Sequence, residues 1–210
     1  MLTLYDYAEA PNPRRARIFL AEKGFEVKTI QIDIREGEQF SEAYKAINPR
    51  CTVPSLVLEN GHILTENVAI ADYISSVKPN PPLLGTDAVS RADVLQWNSR
   101  IQFEGIMAVA EAFRNTTKGM KGRALPGQLK LVQIPALAER GRLRLADFYR
   151  RMNDHLEDRE FVSGDTYSMA DITLLVCVDF SAWVKASPDE SMTHLNRWYA
   201  MASARPASKA

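Results

Sequence analysis

A chain of 210 residues is long enough to bury a substantial core in one large or two small domains. Its 26 basic and 26 acidic side chains leave no formal net charge, hence no electrostatic reason to bind nucleic acid or an anionic membrane. Two cysteines, Cys51 and Cys177, with no CxxC pair exclude a disulfide framework. No apolar run approaches a bilayer span, and the start MLTLYDYAEAP lacks the basic and apolar stretches of a signal peptide, so a cytoplasmic, reducing setting is expected.

Leu2 to Tyr7 alternates apolar and polar residues and predicts a strand. Asn12-Pro13 opens RRARIFLAEKG, a helix expected over 13–23 with Asn12 as N-cap and Gly24 at its C-terminal end. Val27, Ile30, Ile32 and Ile34 suggest a second strand, parallel to the first because a helix intervenes. A short helix over 38–46 stops at Asn48-Pro49. TVPSLVLENGHILT then predicts a hairpin turning at Asn60-Gly61, with positive φ expected at both residues. A helix over 66–77 should bury Val68, Ala71, Ile74 and Val77.

This βαβαββα order occupies 1–78, and the proline-bearing segment 79–86 reads as a linker to an all-helical domain over 87–210. The second domain is expected to hold one helix over 87–115, a loop, and a helix over 128–158 kinked at Pro135. Ser168 and Asp171 have capping-box spacing ahead of an apolar helix, with Tyr167 and Ile172 placed to form a hydrophobic staple, and SPDE at 187–190 is expected to open the last helix.

Four stretches, NPRRARIFLAEKG, INPRCTVPSL, LTENVAIADYI and SGDTYSMADITLL, occur in an order and spacing that resembles the bacterial cytosolic glutathione transferases over essentially the whole chain. The resemblance implies a thioredoxin-like α/β domain followed by an all-α domain, a homodimer, and glutathione as co-substrate. It also explains why Pro54 stands before an apolar strand. In such domains the matching proline is cis and lets the residue before it, here Val53, offer its N–H and C=O to the ligand as an added strand would. Glu66 and Asn67 match the acid-plus-serine pair that holds the γ-glutamyl end, with Asn67 in place of serine. Gln39 and Thr52 match positions that bind the glycine carboxylate, and Cys51 stands where glycine is usual.

The resemblance also exposes a gap. Ala10 falls where relatives carry the serine, threonine or cysteine that stabilises the glutathione thiolate. Asn12, in a motif similar to the Thr-Pro-Asn of the Nu-like members, is the expected replacement together with the helix N-terminus, and Tyr7 is second. Asn12 acting only as a helix cap and Tyr7 acting only in packing are the structural alternatives. Phe103 and Met107, on the first long helix of the second domain, are expected to border a small apolar electrophile. His62, His155 and His194 are isolated, so no metal cluster is expected, and no phosphate loop, HExxH or GxSxG occurs. The expected activity is transfer of glutathione to small electrophiles in detoxification. Glutathione-dependent reduction of disulfides or peroxides and a non-catalytic binding role are the alternatives.

Overall fold

The computed structural model describes all 210 residues. The chain divides into two compact units, Met1–Pro81 with Pro126–Leu129 and Ala210, and Pro82–Leu125 with Lys130–Lys209.

In the first unit, strands β1 (Thr3–Asp6), β2 (Lys28–Gln31), β3 (Ser55–Val57) and β4 (Ile63–Leu64) form one sheet in the order β2-β1-β3-β4. β1 runs parallel to β2 and antiparallel to β3, and β4 closes an antiparallel hairpin. Helices α1 (Pro11–Glu22), α2 (Glu42–Lys45) and α3 (Asn67–Val77) complete the βαβαββα order. Side chains alternate across β1. Leu4 and Asp6 are buried, whereas Tyr5 and Tyr7 pack against a cluster of Ile32, Tyr44 and Val53.

Several local expectations are corrected. Helix α1 starts at Pro11, not Pro13. Its N-cap is Ala10, whose backbone is extended and whose side chain caps nothing, so Asn12 is an exposed residue of the first turn rather than the cap. At the other end Gly24, at φ 55°, donates to Ala21 O while Phe25 N donates to Leu20 O, a paired closure that needs the left-handed glycine. The helix expected over 38–46 is split. A 3₁₀ turn (Glu38–Phe40) precedes α2, which Ser41 caps by accepting from Tyr44 N. In the hairpin only Gly61 has positive φ, and Leu58 pairs with both Gly61 and His62, so a three-residue loop replaces the two-residue turn. Helix α3 buries Ile70, Ala71 and Ile74, and the expected Val68 and Val77 are exposed.

The second unit is helical. The helix expected over 87–115 is a continuous run made of α4 (Ala88–Arg100), a π-helical stretch (Ile101–Ile106) and α5 (Met107–Thr116), opened by a capping box of Asp87 and Ser90. At Gly105, within the π stretch, a Cβ would lie 2.7 Å from Cys177 Sγ and 2.8 Å from Phe148 Cε1, so only glycine admits this packing. α6 (Pro135–His155) starts at Pro135. The proline initiates the helix instead of kinking one begun at Gln128, because it needs no N–H in the first turn. α7 (Met169–Ser181) is buried almost throughout and opens with the expected Ser168–Asp171 capping box. Asp171 is fully buried and accepts from Val162 N, Ser168 N, Ser168 Oγ and Trp198 Nε1. Burial raises its carboxyl pKa, and these four donors pull it back. The last helix, α8 (Thr193–Ser203), begins after the SPDE stretch. Asn153 Oδ1 of α6 accepts from His194 N and Leu195 N, so a tertiary contact sets its first turn.

Candidate functional site

The sheet register gathers the first unit's candidates at one edge. Parallel β1 and β2 both end there, leading to Tyr7–Asn12 and to the Gln39 turn. β3 begins there after Val53-Pro54, and β4 ends there, just before Glu66 and Asn67. Continuing the β1–β3 register past Tyr5↔Ser55 sets Tyr7 beside Val53, and the two pack in the same cluster.

The segment entering β3 is held by a buried polar network. Asn48 Nδ2 donates to Thr52 O at 2.7 Å and to Thr52 Oγ1 and Ser55 Oγ at 3.2 and 3.3 Å, while its Oδ1 accepts from Arg50 N at 3.0 Å. Tyr44 Oη donates to Thr52 O at 2.6 Å and lies 3.1 Å from Ser55 Oγ. Burial raises the Tyr44 pKa above its ordinary value, so the phenol remains a donor. From outside, Gln128 Nε2 donates to Pro49 O at 2.7 Å. Cys51 sits in this loop at φ 55°, a left-handed conformation that accounts for the glycine usual there, and its buried Sγ lies 3.7 Å from Pro49 O.

The loop delivers Val53 in a particular state. The Val53–Pro54 peptide bond is cis, the valine side chain is buried, and neither its N–H nor its C=O has a partner within the chain. Thr52 differs, because its carbonyl and hydroxyl both serve the network. Gln39 is 3% exposed and its Oε1 has no hydrogen-bond partner. Asn67 Oδ1 is likewise buried without one, while Glu66, the N-cap residue of α3, directs no side-chain bond to the helix and is exposed. Free backbone groups at the same end of the sheet as two buried, unpartnered amide oxygens and an uncommitted carboxylate suit an extended peptide with charged ends: backbone pairing at Val53, N–H donors such as an ammonium at those oxygens and at Glu66, and a carboxylate at the helix start and the amide NH2 groups.

The start of α1 is sparer than expected. Pro11 and Pro13 carry no N–H, so the first turn offers the N–H of Asn12 where several were anticipated. The Asn12 side chain is exposed, with Oδ1 3.5 Å from Arg15 Nη1, which leaves its Nδ2 available as a donor. Tyr7 Oη donates to Glu9 Oε2 at 3.3 Å, and Glu9 also pairs with Arg35. Burial, ahead of the opposing influence of Arg35, raises the Tyr7 pKa and keeps the phenol protonated.

Phe103 and Met107 belong to the second unit and are 67% and 42% exposed. Phe103 lies within the π stretch and Met107 directly follows it. Tyr44, Asn48, Ser55 and Gln128 support the site without any motif in the sequence that gives them that role. Asn48 announced itself only as a helix stop, and its spacing to Thr52 and Ser55 is not a motif on its own.

Residues 10–77 match the family described as Glutathione S-transferase, N-terminal domain, and residues 133–206 match Glutathione S-transferase, C-terminal domain. Glutathione S-transferase 2 of Saccharomyces cerevisiae is 31% identical over 210 residues, 99% of this chain and 88% of the relative. The crystal structure of a glutathione S-transferase domain-containing protein from Marinobacter aquaeolei superposes with a TM-score of 0.91 at 31% identity, covering 98% of this chain and 99% of that one. Gtt2 from Saccharomyces cerevisiae superposes at 0.90, also at 31% identity, over 99% of this chain and 98% of its own. With both domain types matched in order and the whole length aligned to such relatives, the chain belongs to the glutathione S-transferase family.

Proposed function

We propose that this glutathione transferase binds glutathione along Val53, ionises its thiol beside Asn12, and transfers the sulfur to small apolar electrophiles. The observation that carries the reading is the unpaired backbone of Val53, in the same unit as the buried, unpartnered amide oxygens of Gln39 and Asn67. In this reading the cysteinyl unit pairs with Val53, and Pro54 fixes the direction of that backbone. Glu66 takes the ammonium and Asn67, with the start of α3, the γ-glutamyl carboxylate. Gln39 and the Thr52 region receive the glycine end.

A free thiol titrates near ~8.5. Lowering that by ~2 units requires about 3 kcal/mol of preference for the thiolate. Ala10 supplies no donor, so the preference falls to the N–H and Nδ2 of Asn12, with the Tyr7 phenol as second donor once its proton turns from Glu9 to the sulfur. Phe103 and Met107 border the electrophile, and the working form is a cytoplasmic homodimer acting in detoxification. The Ala10-Pro11-Asn12 sequence favours a second reading, glutathione-dependent reduction of disulfides or peroxides at the same asparagine.

The test is calorimetric titration of glutathione at neutral pH in two buffers of different ionisation enthalpy. Binding with proton release is expected. Binding without release would leave a ligand-binding protein and withdraw the roles of Asn12 and Tyr7.

A further inference from the structure

The turn between β1 and α1 is tied to one buried carboxylate. Asp6, the last residue of β1, is 1% exposed. Arg17 of α1 donates from Nη1 to Asp6 Oδ1 at 2.6 Å and from Nη2 to Ala8 O at 2.9 Å. Gln31, the register partner of Asp6 on β2, donates from Nε2 to Asp6 Oδ2 at 2.7 Å, and its Oε1 accepts from Ala8 N at 2.9 Å. Both backbone groups of Ala8 are thus held by side chains from different elements, and both side chains are oriented by the same carboxylate. Ala10 N donates to Tyr7 O at 2.9 Å and closes the turn directly before Asn12.

A buried ion pair is a poor source of stability, because desolvating its charges offsets their attraction. It is an effective source of geometry. The Asp6 carboxyl oxygens hold Arg17 in a fork and select the Gln31 amide orientation that leaves Oε1 toward Ala8. An apolar residue at this position would pack as well and orient neither.

We propose that Asp6 is a positioning residue for the turn that activates the glutathione sulfur. Through Arg17 and Gln31 it fixes the backbone at Ala8 and thereby the position from which Asn12 meets the thiol. This rests on the function proposed above.

The test compares wild type with Asp6→Asn and Gln31→Ala. The second changes an exposed side chain, frees the Ala8 N–H and provides a folded variant if the first is unstable. Three quantities are measured: amide exchange at Ala8 and Ala10 without ligand, ionisation of bound glutathione across pH alongside kcat, and affinity for S-methylglutathione, whose sulfur is blocked. Exchange at Ala8 should accelerate, the bound thiol should titrate at higher pH, and kcat should fall about tenfold or more, the scale of a small misplacement of a reacting group. S-methylglutathione affinity should stay within about twofold, since its contacts lie elsewhere. Unchanged Ala8 exchange, or kcat and S-methylglutathione affinity falling together, would overturn the positioning role. A wild type that binds glutathione without ionising it would instead remove the proposed function, and this role with it.

Discussion

Replacing Tyr44 by phenylalanine and Asn48 by alanine, singly and together, measures how strongly the loop behind Val53 is held. Tyr44→Phe removes the 2.6 Å donation to Thr52 O, but Asn48 Nδ2 still serves that carbonyl at 2.7 Å. The loss should be one ordinary buried hydrogen bond, about 1 kcal/mol. Asn48→Ala removes three donations and strips Arg50 N of its acceptor, which should cost about 2–3 kcal/mol. In the double variant Thr52 O has neither donor. Leaving that carbonyl unpaired adds about 1 kcal/mol or more beyond the sum, so the two losses should be coupled. Urea unfolding of the four proteins gives the cycle, and glutathione titration under conditions where all are folded gives the functional counterpart. The double variant should bind glutathione about tenfold more weakly, equivalent to about 1.4 kcal/mol, because the freed loop no longer presents Val53 in one orientation. Losses additive within about 0.5 kcal/mol, or glutathione affinity untouched in the double variant, would refute the reasoning.

Two predictions concern the helical unit. Asp171→Ala leaves the donors at Val162, Ser168 and Trp198 without their buried acceptor and should destabilise by about 3–5 kcal/mol in urea unfolding; a loss under about 1 kcal/mol would show that those groups find other partners. His155 stacks on Trp97 with ring centroids 3.9 Å apart, and its Nε2 lies 2.8 Å from Val162 O. Burial lowers its pKa below the ordinary 6.5, helped by Arg159 and Arg100 and opposed by the Val162 carbonyl and Asp158. The unfolded chain therefore takes up this proton first. Stability should fall as pH drops from about 6.5 through the folded pKa and level off below it, and His155→Gln should flatten that slope; equal slopes in the two proteins would count against it.

Much of the fold is written in near neighbours. The period-two pattern of Leu2–Tyr7, Gly24 after an apolar stripe, and Ser168 three residues before Asp171 each state a backbone preference that few alternatives satisfy. Those elements formed where the chain announced them. Helix starts were less legible where two residues competed. Pro11 and Pro13 both suit a first turn, and the helix took the earlier one, which turned Asn12 from cap to exposed side chain. The first turn of α8 waited on Asn153, some 41 residues upstream, and no local pattern marks such a donor–acceptor match.

The candidate site divides the same way. Pro54, Val53, Glu66, Asn67 and Gln39 could be named from the order and spacing of short motifs. That the side-chain oxygens of Gln39 and Asn67 are buried without partners, and that Val53 keeps its backbone groups free, only the packed chain decides, because satisfaction depends on every group within reach. The supports are wholly tertiary. Asn48 and Tyr44 meet at Thr52, Gln128 reaches Pro49 across 79 residues, and Asp6 holds Ala8 through residues 11 and 25 positions away. The sequence by itself determined which chemistry sits at the sheet edge, since residue type and local spacing are linear properties. Only the tertiary structure decided how firmly that chemistry is aimed, since hydrogen bonds between distant residues exist only after the chain has folded.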